Sequence, residues 1–297
     1  MAAAIKKSIL LALALIVIAG PAAADDFETC RHASGDAAIA ACTQAIDSKE
    51  YSGHALAVLF HNRGIEYGLK ADLDRAIADY SEAIRLDPEY SNAFHNRALV
   101  YQKRGDLDRA FEDFNEAIRL DPKERAAYIN RGIAWMAKGD FGRAITDYTE
   151  AIRLDPKESA AYNGRGRAWN ATGDLDRAIA DYSEAILIDP KYVVAYVNRG
   201  IAWKAKGDLD RAVADYSEAI RLSPKYVVAI YNRGNAYKAK GDFERAIADY
   251  SEAIKLNPKD ALAFYNRSLA YRAMGDLDRA AVDYRGAVCL DPNVSAP

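Results

Sequence analysis

Cysteine is nearly absent from this sequence, with three among 297 residues, and histidine occurs only four times. So thin a supply of soft ligands leaves no Cys/His set at metal-binding spacing. His61 and His95 lie one repeat period apart with no third ligand in view, so no metal is expected. Basic charge is not in excess, since 40 Lys and Arg face 43 Asp and Glu. Phosphate neutralisation supplies most nucleic-acid affinity, so this balance excludes a nucleic-acid binder and general adhesion to anionic lipid. No apolar run approaches the roughly 20 residues that span a bilayer. No strand-like alternation competes with the three- and four-residue spacing of apolar positions. A Ser-His-Asp order, a phosphate-cradling Gly loop and a paired-carboxylate cleft are all missing, so neither an enzyme nor a cofactor is expected.

The longest apolar stretch is the eleven residues from Ile9 to Ala19. Lys6 and Lys7 precede it, Gly20-Pro21 ends it, and Ala22-Ala23-Ala24 supplies small residues for a signal peptidase. Residues 1–24 are therefore expected to be a signal peptide cleaved after Ala24. The mature chain is then periplasmic in a Gram-negative bacterium, or secreted, with no stable membrane insertion. No Cys follows the run to take a lipid. Under oxidising conditions Cys30 and Cys42 are expected to pair, closing a loop of about 13 residues for about 3 kcal/mol in the loop-entropy picture. The alternative is two small buried hydrophobes without a bond.

Against these absences stands a period. Asn62-Arg63-Gly64 returns as Asn96-Arg97-Ala98, Asn130-Arg131-Gly132, Asn198-Arg199-Gly200, Asn232-Arg233-Gly234 and Asn266-Arg267-Ser268. Only Gly164-Arg165-Gly166 lacks the Asn. A fixed 34-residue spacing marks a stacked array in which each unit buries itself against its neighbours. Seven copies follow: 57–90, 91–124, 125–158, 159–192, 193–226, 227–260 and 261–294. Phe60, Gly64 and Tyr67 share one helical face, Ala76, Tyr80 and Ala83 another, and Pro88 closes the unit. Gly-Asp pairs such as Gly105-Asp106 and Gly207-Asp208 divide the halves, Gly suiting a left-handed helix end and Asp an N-cap. Residues 25–56 read as an N-terminal capping segment with a partial repeat, and 295–297 as a tail.

On Phe60, Gly64, Tyr67, Ala76, Tyr80, Ala83 and Pro88, repeated in register over 57–294, the chain resembles the tetratricopeptide repeat family of secreted or periplasmic bacterial type. The resemblance implies an all-α fold, a right-handed superhelical solenoid of antiparallel helix pairs whose first helices line a concave groove. It implies protein binding and carries no catalytic residues.

The row Asn62, Asn96, Asn130, Asn198, Asn232 and Asn266 is the sharpest candidate site. An amide offers acceptor and donors together, so one per repeat can hold the backbone of an extended segment. This looks like the Asn ladder of the O-linked N-acetylglucosamine transferases, from which only the binding mode carries over. The alternative is that these side chains solvate the face or bond to neighbouring helices. Lys204, Lys238 and Arg272 make the later part of the groove basic, favouring an acidic stretch in a ligand or merely solvated. Seven Arg (Arg63 to Arg267) matched by seven Asp (Asp79 to Asp283) suggest one structural ion pair per repeat. The aromatic row Tyr67, Tyr101, Trp135, Trp169, Trp203, Tyr237 and Tyr271 reads as core. Cys289 stands where earlier repeats carry Arg85, Arg119 and Arg153, an outward position suited to an idle thiol or a cross-link between two chains.

The expected function is an exported scaffold or adaptor holding an extended segment of a protein partner through the Asn ladder. The alternative is a self-assembling element that dimerises or stacks as a homo-oligomer through an uncapped C-terminal repeat.

Overall fold

The computed structural model describes residues 21–294; the expected signal peptide lies mostly in residues 1–20, outside the described residues, as does the tail 295–297. Sixteen α-helices and no strand occur among the described residues, in two compact units divided after Pro122. The first unit holds α1 (Pro21–His32), α2 (Gly35–Asp47), α3 (Gly53–Leu69), α4 (Leu73–Leu86), α5 (Ser91–Arg104) and α6 (Leu107–Leu120). The second begins with α7 (Arg125–Lys138), α8 (Phe141–Leu154), α9 (Ser159–Ala171), α10 (Leu175–Ile188) and α11 (Val193–Ala205). It continues with α12 (Leu209–Leu222), α13 (Val227–Ala239), α14 (Phe243–Leu256), α15 (Ala261–Ala273) and α16 (Leu277–Leu290).

Two residues make each hairpin. Gly105 takes φ 86°, so its N–H reaches Gln102 O while the N–H of Asp106 reaches Tyr101 O, closing α5. The Asp106 carboxylate then accepts from the Arg109 N–H and opens α6. Asp72, Asp140, Asp174, Asp208, Asp242 and Asp276 cap their helices in the same way, at 3.0–3.2 Å. The first hairpin differs: Ala71 takes the left-handed conformation, φ 60°, that glycine fills in the later ones.

Alanines at the helix crossings let the backbones approach, and large second-helix aromatics fill what remains. Ala76, Ala83, Ala212 and Ala219 have no exposed surface, and Tyr148, Tyr182, Tyr216, Tyr250 and Phe114 are fully buried. Such close packing leaves no slack for added atoms. Of the first-helix aromatic row, only Tyr101 and Tyr271 are buried. Tyr67, Trp135, Trp169, Trp203 and Tyr237 are half-buried, with Arg75, Arg143, Arg177, Arg211 and Arg245 lying over their rings, 3.7–4.5 Å from the centroids.

In the first unit α1 and α2 cover α3. Cys30 and Cys42 are joined by a disulfide, and Leu59 is buried against Cys30, Ala41, Cys42 and Ala45. The Gly35 N–H donates to Glu66 Oε2 at 2.7 Å, pinning α2 to α3. At the other end of the second unit, α16 leaves Leu277, Val282 and Leu290 exposed, together with the free Cys289.

Each repeat carries one buried ionic joint. Arg63–Asp79, Arg97–Asp113, Arg131–Asp147, Arg165–Asp181, Arg199–Asp215, Arg233–Asp249 and Arg267–Asp283 pair through two parallel hydrogen bonds of 2.6–2.9 Å. The remaining guanidinium nitrogen reaches back to a hydroxyl on the preceding second helix. Arg63 donates to Thr43, Arg97 to Ser81, Arg165 to Thr149, Arg199 to Ser183, Arg233 to Ser217 and Arg267 to Ser251, at 2.9–3.2 Å. The fork therefore fixes its own hairpin and fastens it to the one before.

Candidate functional site

Within each unit successive first helices touch: α1 meets α3 and α3 meets α5; α7 meets α9, and so on to α15. No two second helices touch among the described residues. Each stack therefore curves with its first helices on the inner side, which makes their shared face the surface along which an extended chain gains most contact.

The six asparagines all lie half-buried on this face. Asn62 and Asn96 belong to the first unit, and Asn130, Asn198, Asn232 and Asn266 to the second. Several of the amides bond sideways to the previous first helix. Asn96 Nδ2 donates to His61 Nε2 at 2.8 Å, Asn198 Nδ2 to Asn163 Oδ1 at 2.9 Å, and Asn266 Nδ2 to the Tyr231 hydroxyl at 2.7 Å. Asn232 and Asn266 also donate to carbonyls one turn earlier, those of Val228 and Leu262. The donors are thus largely engaged within the array, while Oδ1 of Asn198 and of Asn232 accepts no bond among the described residues. Asn198 and Asn232 therefore offer acceptors to a ligand's N–H groups more readily than donors to its carbonyls.

The break in the row has a local cause. Gly164 lies against Tyr148, and a Cβ there would fall 2.5 Å from the ring edge. The amide function passes instead to Asn163, buried one residue earlier, where it meets Asn198. Gly164→Asn is accordingly expected to restore the written pattern at a loss of about 2 kcal/mol, through overpacking of Tyr148. A thermal melt checks this, and an unchanged midpoint would show that the ring yields freely.

Apolar side chains flank the amides. Val194 and Ile201 share the α11 face with Asn198 at helical spacing, Val228 precedes Asn232, and Leu262 precedes Asn266; all four are exposed, Leu262 to 56%. Sequence reasoning did not single them out, although their three- and four-residue offsets from each Asn were the available signal. Lys204 and Lys238 lie half-buried six residues beyond the asparagines, and Arg272 is exposed at the corresponding place on α15. Lys238 Nζ donates to Asn266 Oδ1 at 2.6 Å, which places it on the same face. Burial, and then the Lys204 charge, lower the Lys238 pKa from its ordinary value.

In the first unit His61 and His95 are both buried. Burial pushes the His61 pKa down to about 4. Its neutral ring accepts from Asn96 at Nε2, which puts the proton on Nδ1, facing the Tyr90 hydroxyl at 3.2 Å and Asn62 Oδ1 at 3.3 Å. Beside this cluster an open cleft of about 530 Å³ is lined by Phe27, Arg31, His54, Val58, Asn62 and Tyr90. No group of three His, Cys, Asp or Glu placed to hold a metal occurs among the described residues. No helix among them is long and apolar enough to cross a membrane.

The TPR-repeat family model matches residues 69–105, 202–241 and 234–274, and tetratricopeptide-repeat models match 91–124, 129–193 and 261–294. No curated protein matches the sequence. Among solved structures, MamA is 26% identical with a TM-score of 0.52, over 54% of this chain and 94% of that one. A tetratricopeptide repeat protein from Parabacteroides merdae is 19% identical with a TM-score of 0.63, over 88% of this chain and 100% of that one. YrrB, a TPR protein with an unusual peptide-binding site, is 20% identical with a TM-score of 0.52, over 61% of this chain and 93% of that one. The last two share the fold. Matched along most of its length by models of one repeat, and built of the helix pairs that repeat specifies, the chain belongs to the tetratricopeptide repeat family.

Proposed function

We propose that this protein is a non-catalytic scaffold that holds an extended polypeptide segment against the first-helix face of its second unit. The observation that carries the reading is the alternation of exposed apolar side chains with amides along α11, α13 and α15: Val194, Asn198 and Ile201; Val228 and Asn232; Leu262 and Asn266. The Asn198 and Asn232 amides take the segment's backbone N–H groups, and the apolar positions take its side chains. YrrB, with its peptide-binding site, supplies a precedent within the same fold. Export through residues 1–24, with cleavage after Ala24, belongs to the same reading. The disulfide between Cys30 and Cys42 supports it, because such bonds persist in oxidising compartments.

The test is binding of the full chain to a random dodecapeptide array, beside the variant Asn198→Ala/Asn232→Ala/Asn266→Ala. Loss of at least tenfold in affinity for the selected peptides is expected; equal binding by the variant would remove the amides from the mechanism. A second reading, self-association, is favoured by Leu277, Val282 and Leu290 exposed on α16. Light scattering on the same two samples separates the readings, since self-association through α16 gives an oligomer mass that the Asn variant retains.

A further inference from the structure

In the second unit Arg177, Arg199, Arg211 and Arg245 each pair with an aspartate, and Lys206 and Lys240 pair with Asp176 and Asp210. Arg167 on α9, Lys204 on α11 and Lys238 on α13 have no carboxylate within ion-pair distance among the described residues. These three stand on successive first helices that touch one another. Arg167 occupies the helix where the Asn row is broken, and its charge reaches the buried Tyr148 and Tyr182 and the half-buried Tyr192. Lys238 is spent only on the neutral Asn266 amide, and the Lys204 charge opposes its own. Like charges held together on a half-buried surface are destabilising unless an anion lies between them.

We propose that the partner segment carries acidic side chains, seated by Lys204 and Lys238 with Arg167 beside them, between apolar residues that rest on Val194, Ile201, Val228 and Leu262. This rests on the scaffold reading above and names its partner class. The carboxylates belong to side chains within the segment and not to a chain end. Apolar positions lie beside the lysine pair, Val194 and Ile201 on α11 and Val228 on α13, and beyond it, Leu262 on α15, so a bound chain has contacts to make past the pair. A carboxylate between the lysines gains two charge-assisted hydrogen bonds and relieves the repulsion between them.

The dodecapeptide array, printed once amidated and once with free C-terminal carboxylates, tests this on the full chain. Selected peptides should be enriched in Asp and Glu flanked by Leu, Ile or Val. The Lys204→Met/Lys238→Met variant, matched in length and stem, should bind them at least tenfold more weakly while melting no lower than the wild type. Raising salt from about 50 to 500 mM should weaken the wild type towards the variant. Selected peptides without acidic enrichment, or ones the Met variant binds equally, would overturn the inference and leave the scaffold reading standing. Binding only by peptides with a free C-terminal carboxylate would overturn it too. An array with no binder at all would sink the scaffold reading, and this inference with it.

Discussion

Asp215→Ala should destabilise the second unit by about 3 kcal/mol, the scale for stranding one member of a buried ion pair. Asp215 and Arg199 meet through bonds of 2.7 and 2.9 Å, with side chains 8% and 21% exposed. Without the carboxylate, Arg199 keeps only Ser183 as an acceptor, and its charge remains in a site too dry to hydrate it. The exposed pair Arg221–Glu218 is the control, since solvent screening leaves such surface pairs little net effect on stability. Urea titration followed by circular dichroism reads both. The double variant Arg199→Met/Asp215→Leu should recover most of the loss, because an apolar pair of similar volume replaces the ions without an orphan. If Asp215→Ala costs no more than Glu218→Ala, the joint is not structural.

Acid should weaken the first unit through His61. Its pKa is about 4 when folded against an ordinary 6.5, because burial among Tyr80, Tyr90, Asn62 and Asn96 opposes the charged ring. The folded state therefore binds fewer protons than the unfolded chain between those values. Stability is full above pH 6.5 and falls as the pH drops towards 4, by about 3 kcal/mol in total. Protonated Nε2 also turns from acceptor to donor, so the Asn96 amide must flip. His61→Gln keeps an acceptor near that place and cannot take up the proton. The difference between wild-type and variant unfolding free energies, measured from pH 7.5 to 4, should carry this slope; parallel curves would show that His61 titrates normally. Other groups in the fold move the absolute curves, and the difference cancels them.

The period in the sequence was enough to place most of the architecture. Gly105-Asp106 and its counterparts specify a helix end and a helix start within two residues, and both are found. The match of seven Arg to seven Asp likewise found its partners. The third contact of each Arg was hidden, because a serine such as Ser183 already satisfies itself by donating to the Ile179 carbonyl. Its use as an acceptor depends on how closely the next hairpin approaches. The candidate site was legible as a row of positions and not as a set of bonding states. Nothing in Asn198 itself tells that its amide meets Asn163, since that pairing crosses 35 residues and needs the stagger between adjacent helices. Val194, Ile201, Val228 and Leu262 share a helix face with each Asn by their spacing, but it takes their exposure to separate them from ordinary packed positions.

The backward reach of each arginine makes the joints interchangeable. Arg199 clasps Ser183 and Asp215; Arg233 clasps Ser217 and Asp249, the same grip moved on by one period. Excising residues 193–226 would bring Arg233 to Ser183 with Asp249 still beside it, leaving no severed clasp at the splice. Inserting a further copy would add one complete clasp and disturb none. Length is then a free variable of this architecture, and the span of partner it accommodates can be lengthened or shortened without redesigning a single interface.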